Sequence, residues 1–141
     1  MIAYFDTSAF VSMLLDEPTS EQAVTLWNAA TRSLSARVTY AEARAAFAQA
    51  WRAGRISRPV LRTVAVRVAA LLDDVDHIEI DRGLVDVAGD LAEEYRLRGY
   101  DAVHLAAALT AADPDLVVVT GDAALAEAAR QAGLAVAHLA A

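Results

Sequence analysis

Short apolar runs alternate with amphipathic stretches from one end of this 141-residue chain to the other, and few folds accept that alternation. The first run, Ile2–Phe5, is β-branched and aromatic, too short for a helix, and reads as a buried strand. An amphipathic helix follows through about residue 15 and is closed by Pro18. Thr19 or Ser20 can cap a second helix, which carries Ala23, Val24, Leu26 and Trp27 and ends near residue 31. A weak strand at 33–36 leads to a helix over 39–53, where Thr39-Tyr40-Ala41-Glu42 matches the capping-box pattern and Gly54 is the breaker. The next helix, 57–72, tolerates Pro59 in its first turn and forms a hairpin with the one before. A turn at 73–76 precedes a third strand at 77–80. Residues 83–98 read as a helix stopped by Gly99, 101–112 as another, and Leu116–Thr120 as the clearest buried strand. Asp122 opens a helix to about residue 132, and Gly133 precedes a last short strand at 135–137.

Strands separated by helices imply a parallel sheet with right-handed crossovers and helices on both faces, an α/β doubly wound domain. At this length the whole chain, 1–141, is expected to form one domain that buries about two-thirds of its unfolded surface.

Composition removes whole classes of chemistry. With no cysteine there is no disulfide, zinc-thiolate site or thiol nucleophile, and all twelve basic residues are arginine, so no mechanism that needs a catalytic lysine applies. The N-terminal stretch lacks the basic leader and long apolar core of a signal peptide, and the alanine-rich segment 105–112 falls well short of the roughly 20 residues of a membrane span. A soluble, cytoplasmic protein with no membrane partner is the expectation. Hydrophobic residues make up 57% of the chain, much of it alanine, an excess that suggests a homodimer.

The net charge of −7 conceals an asymmetry. Residues 32–67 hold eight arginines and a single acid, Glu42, for +7, whereas the remainder carries four arginines and eighteen acids, for −14. Such a segment suits a phosphate backbone held beside a cation, and equally suits a solvated arginine face on two helices. Arg52, Arg55 and Arg58, with Arg44 and Arg62, are the candidates for phosphate contacts, although Arg44 lies about 200° around the helix from Glu42.

Four acids sit where apolar segments meet turns or helix starts: Asp6, Glu42, Asp101 and Asp122. Asp6 and Asp122 follow strands and lie at the carboxyl edge of the sheet, where open α/β folds place ligands; each also reads as a helix N-cap. Glu42 reads either as a ligand or as the acid of a capping box. Asp101 opens an almost wholly apolar helix, dry surroundings for an unpartnered carboxylate.

The set Asp6-Thr7-Ser8-Ala9, Thr39-x-x-Glu42, Asp101-Ala102-x-His104-Leu105-Ala106 and Thr120-x-Asp122, in that order, resembles the PIN-domain ribonucleases. The chain's size and the stretch Arg98-Gly99-Tyr100-Asp101-Ala102 resemble the VapC-type toxins of type II toxin-antitoxin pairs, over the whole length. The resemblance implies a metal-dependent endoribonuclease that hydrolyses single-stranded or loop RNA through activated water, leaving 5′-phosphate and 3′-hydroxyl ends. It assigns Asp6, Asp101 and Glu42 to the principal cation and Asp122 to the water or a second, weaker ion, with Ser8 and Thr120 as hydroxyl supports and Thr7 assisting through its backbone amide. A cognate antitoxin that blocks the acidic crevice is the implied partner.

The chemistry of such a cluster agrees. Four clustered carboxylates repel one another unless a cation compensates them, and oxygen ligands without cysteine or a His-x-x-x-His pair select Mg²⁺, with Mn²⁺ a possible substitute, over zinc. His104, one turn after Asp101, reads first as a helix-packing histidine and second as a ligand or proton carrier, and His77 and His138 read as structural. Trp27 and Trp51 read as core or interface residues rather than base-stacking platforms. A haloacid-dehalogenase-like phosphatase would need an aspartate where this chain has Ser8, and a lysine, which also counts against a receiver domain. The alternative is a non-catalytic PIN-like module that binds RNA or protein.

Overall fold

The computed structural model describes residues 1–111 and 113–141, which form seven helices and a five-stranded parallel sheet. In chain order the elements are β1 (Ile2–Phe5), α1 (Thr7–Leu14), α2 (Ser20–Ala29), β2 (Arg32–Ala36), α3 (Thr39–Arg52), α4 (Arg58–Asp73), β3 (Asp76–Ile78), α5 (Arg82–Tyr95), α6 (Gly99–Thr110), β4 (Leu116–Thr120), α7 (Ala123–Gln131) and β5 (Ala135–His138). The expected α/β architecture is present. The sequence-based end of the 101–112 helix falls at Ala112, outside the described residues.

The strand order is β3-β2-β1-β4-β5, so the chain lays β2 and β3 to one side of β1 and then β4 and β5 to the other. That reversal matters for function. In an open parallel sheet the loops leaving the two strands at the reversal diverge above and below, and a crevice opens between them. Here those strands are β1 and β4, in register as Ile2 with Leu116 and Phe5 with Val119, and the residues that leave their ends carry Asp6 and Asp122.

Period-two alternation along β1 sends its side chains to two cores. Tyr4 packs with Leu34, Val118 and the apolar faces of α5, α6 and α7, whereas Ala3 and Phe5 pack with Phe10, Phe47, Val68 and the faces of α1, α3 and α4. Each helix presents a stripe at helical spacing, such as Ala43, Phe47 and Ala50 on α3 or Val64, Val68 and Leu72 on α4. In α6 the run Leu105-Ala106-Ala107-Ala108 is buried all round, and alanine's small side chain lets that helix lie close to its neighbours on several sides. Trp27 is a core residue, tilted over Phe5 at 5.3 Å between ring centroids and edge-on to Phe10 at 5.8 Å.

Two boundaries differ from the sequence reading. Helix α5 stops three residues before Gly99, with Arg96 in the left-handed conformation at φ 57° and the Leu97 amide donating to the Ala92 carbonyl, the six-to-one bond of a Schellman end. Burial of Leu97 in the core accompanies that turn, so an apolar contact takes the place of a glycine signal. Gly99 is then the first residue of α6 rather than a stop. The third strand is Asp76–Ile78 rather than 77–80, because β2 fixes its register through Leu34 with Asp76, and Asp81 is used to cap α5 by accepting from the Leu84 amide. No described helix is long and apolar enough to cross a membrane.

Candidate active site

Asp6 ends β1 and caps α1. Its Oδ1 accepts from the Ala9 amide at 3.0 Å and from the Ser8 hydroxyl at 2.6 Å, and its Oδ2 accepts from Thr120 at 2.5 Å. Asp122 repeats the arrangement after β4, with Oδ1 accepting from the Leu125 amide at 2.8 Å. The cap and the crevice acid are therefore one residue in both cases: Oδ1 serves the helix, while Oδ2 accepts from Thr120 in Asp6 and from Arg98 in Asp122.

Ser8 and Thr120 tie the two strand ends together. Thr120 donates to Asp6 and accepts from the Asp122 amide at 3.0 Å, while Ser8 donates to Asp6 and accepts from the Gly121 amide at 2.8 Å.

Glu42 is not a capping-box acid. The residue before α3, Val38, has helical dihedrals and makes no side-chain cap, and Thr39 is fully buried with its hydroxyl 2.7 Å from Ser35. Glu42 Oε1 instead accepts from the Thr7 hydroxyl at 2.7 Å and from His104 Nε2 at 2.7 Å. His104 is buried at 3% exposure, and its Nδ1 lies 2.7 Å from the hydroxyl of the fully buried Tyr4. A packing role for His104 describes its burial and misses these bonds.

Asp101, in the first turn of α6, shares a guanidinium with Asp122. Arg98 donates from Nε to Asp101 Oδ2 at 3.2 Å and from Nη2 to Asp122 Oδ2 at 3.3 Å. Together Asp6, Thr7, Ser8, Glu42, Arg98, Asp101, His104 and Asp122 line a crevice of about 350 Å³, which adjoins a wider hollow of about 630 Å³ along Ala45, Gln49 and Tyr100. All four acids singled out from the sequence share this lining.

Electrostatics reflects the crowding. Burial pushes the Asp6 carboxyl above its ordinary range, against the opposing pull of the His104 charge and the Ser8, Thr120 and Ala9 hydrogen bonds. Burial, then the charge of Asp122, raises Asp101, while Arg98 pulls it down. Burial also works to raise Glu42, but the bond and charge of His104 with the Thr7 bond outweigh it and hold Glu42 below the usual value. Desolvation disfavours the imidazolium of His104, yet Glu42, Asp6 and Asp101 raise its proton affinity overall. Arg98 at the mouth thus already supplies positive charge to the crevice, and the acids around His104 favour its protonated form.

That demand is the test of fit for a cation. The donors are carboxylate oxygens with hydroxyl support, the hard set that Mg²⁺ and Mn²⁺ prefer. Arg98 stands in for positive charge at Asp101 and Asp122, and such a group is exchangeable because its side chain is 81% exposed. As they stand, no three acidic or imidazole groups among the described residues converge tightly enough to enclose an ion. The hydrogen bonds above set the acids' present rotamers.

The arginine-rich segment is not gathered into this lining. Arg32 and Arg37 pair with Asp76 and Glu79 beside β3, and Arg44 lies over the Tyr40 ring at 5.6 Å. Arg52, Arg55 and Arg58 are exposed at the far end of the α3–α4 hairpin, Arg58 over Trp51 at 5.2 Å. Ten residues of helix, roughly 15 Å, separate Arg52 from Glu42. The groups at the site to which sequence reading gave no role are Arg98 and Tyr4, and His104, weighed there as a packing residue or a ligand, is bonded to Glu42. Spacing offered a signal for two of them, since Arg98 and His104 stand three residues before and after Asp101, one helical turn each way.

Comparison with known proteins adds a family to this geometry. The PIN domain family matches residues 3–131. Ribonuclease VapC45 of Mycobacterium tuberculosis is 39% identical over 136 residues, covering 96% of this chain and 94% of that protein. Among solved structures, FitAcB of Neisseria gonorrhoeae aligns with TM-score 0.70 at 19% identity, over 96% of each chain. A toxin-antitoxin complex from Klebsiella pneumoniae aligns with TM-score 0.60 at 21% identity, over 85% of this chain and 86% of that one. At these identities the two structures speak for the fold alone.

Proposed function

The chain belongs to the PIN-domain family, and from that premise we propose that it is a Mg²⁺-dependent endoribonuclease acting as the toxin of a toxin-antitoxin pair. The observation that carries the reading is the convergence of Asp6, Glu42, Asp101 and Asp122 on one crevice at the point where the strand order reverses. The ribonuclease name of a relative at 39% identity supports the substrate class.

Asp6, Asp101 and Glu42 would hold the principal cation, with Asp122 beside the attacking water or a second ion. When bound, Mg²⁺ supplies charge neutralisation at the phosphodiester and lowers the pKa of water. The chain's own groups do the rest. Ser8 and Thr120 fix the rotamer of Asp6 and so the spacing of the two strand ends. Thr7 holds Glu42 against the crevice wall by its hydroxyl. Water adds to phosphorus and gives one proton to a crevice carboxylate, the bond to the 3′ oxygen breaks, and that oxygen takes a proton from solvent to leave as a 3′-hydroxyl.

Flanking phosphates are assigned to Arg52, Arg55 and Arg58, which lie around the α3–α4 turn, too far from Glu42 to touch the scissile bond. The antitoxin would cover the crevice and the adjoining apolar groove of Val85, Ala88, Ala92, Tyr100 and Val103, where Tyr100 is 64% exposed. The test is direct. Purified protein should cut cellular RNA with Mg²⁺ or Mn²⁺, stop in EDTA and resume on adding metal, and Asp101→Asn should be inert; intact RNA under every metal condition would instead indicate a binding module.

A further inference from the structure

Behind Glu42 lies a chain of polar groups sealed from solvent. Tyr4 comes from β1, His104 from α6 and Glu42 from α3, so three elements meet at one carboxylate. Buried hydroxyl and imidazole groups in the middle of an apolar cluster are costly unless each is bonded, and here each is. A carboxylate only accepts, so His104 Nε2 carries the hydrogen toward Glu42 whatever the ring's charge, and Nδ1 is left to the Tyr4 hydroxyl at 2.7 Å.

The bonds are also one-sided. Thr7 and His104 both donate to Oε1 of Glu42, and among the described residues Oε2 accepts no hydrogen bond. Glu42 is therefore gripped by one oxygen while the other is free, on a side chain that lines the crevice.

We infer that Tyr4 and His104 are positioning residues which, through the bond to Oε1, orient Glu42 so that Oε2 is presented to a divalent cation. The inference rests on the proposed role of Glu42 as a cation ligand. An outer partner of this kind typically contributes roughly 10–100-fold to metal affinity. A leucine at 104 would fill much of the space and remove the donor, whereas glutamine returns an amide N–H near the position of Nε2.

The experiment measures Mn²⁺ affinity of the full chain without RNA, by electron paramagnetic resonance, for wild type, Glu42→Gln, His104→Leu, His104→Gln and Tyr4→Phe, each checked for folding by circular dichroism. We expect His104→Leu to bind Mn²⁺ roughly 10–100-fold more weakly and His104→Gln to recover most of that loss. If Glu42→Gln binds as tightly as wild type, Glu42 is no ligand and the functional reading of that residue fails. If Glu42→Gln weakens binding but a folded His104→Leu does not, the positioning role is overturned while the reading of Glu42 stands. Should His104→Leu not fold, Tyr4→Phe decides: it keeps the ring and loses one hydroxyl, and an unchanged Mn²⁺ affinity overturns the inference.

Discussion

Replacing Asp6 by asparagine should separate stability from function. Asparagine caps helices as well as aspartate, so the bond from the Ala9 amide, 3.0 Å in the native protein, survives on the side-chain oxygen. The new amide nitrogen faces Thr120, whose hydroxyl must change from donor to acceptor; it already accepts from the Asp122 amide and has a second lone pair free. The substitution also removes a buried carboxylate whose proton affinity is raised by desolvation, which favours the folded state at neutral pH. The sum is a change within about 1 kcal/mol, or roughly 4 °C for a domain of this size. Alanine behaves differently: the lost cap costs about 1 kcal/mol, and the stranded Ser8 and Thr120 hydroxyls add about 1–3 kcal/mol. Thermal melts with and without Mg²⁺ check both halves. At a hundredfold excess over its Kd, Mg²⁺ should stabilise wild type by about 2.7 kcal/mol, near 10 °C, and leave Asp6→Asn almost unmoved. An Asp6→Asn protein that melts as low as Asp6→Ala would refute the cap argument, and one that responds to Mg²⁺ like wild type would refute the cation assignment.

Arg98→Ala should leave stability almost unchanged, since its ion pairs are at the surface, yet raise Mn²⁺ affinity by freeing Asp101 and Asp122; weaker binding in a titration would contradict the stand-in role. Against the opposing effect of burial, the acidic neighbours Glu42, Asp6 and Asp101 raise the folded-state pKa of His104 above the ordinary value of about 6.5, so the stability it contributes is full below that pH and is lost as pH rises through the folded value. Urea denaturation of metal-free protein should thus show a decline above about pH 6.5 that His104→Gln flattens, and an equal decline in the variant would assign it elsewhere. Replacing Arg52, Arg55 and Arg58 together by alanine should weaken single-stranded RNA binding irrespective of sequence and reduce its salt slope by about 2, and an unchanged slope would remove these residues from the RNA path.

Much of this was legible in the chain itself, for identifiable reasons. The strands β1 and β4 are short, β-branched and buried on both faces, which no other element imitates, and their ends located Asp6 and Asp122. The helices α3 and α4 declared themselves through their stripes and through Pro59. What the sequence hid depended on contacts between distant elements. The end of α5 is set by Leu97 entering the core, which no local turn residue advertises. The capping-box pattern at Thr39 and Glu42 is local and strong, but tertiary partners separated by 35 and 62 residues claim the acid. Charge counts could not locate the crevice's own guanidinium, because Arg98 lies outside the segment where the eight arginines cluster.

The most direct measurement is the chemistry of the ends produced when the protein cuts a defined RNA. Water activated in the acidic crevice leaves a 5′-phosphate and a 3′-hydroxyl, so downstream fragments should ligate without kinase treatment, and Asp6→Asn should yield none. Fragments ending in 2′,3′-cyclic phosphate, or cleavage that persists in EDTA, would contradict the account.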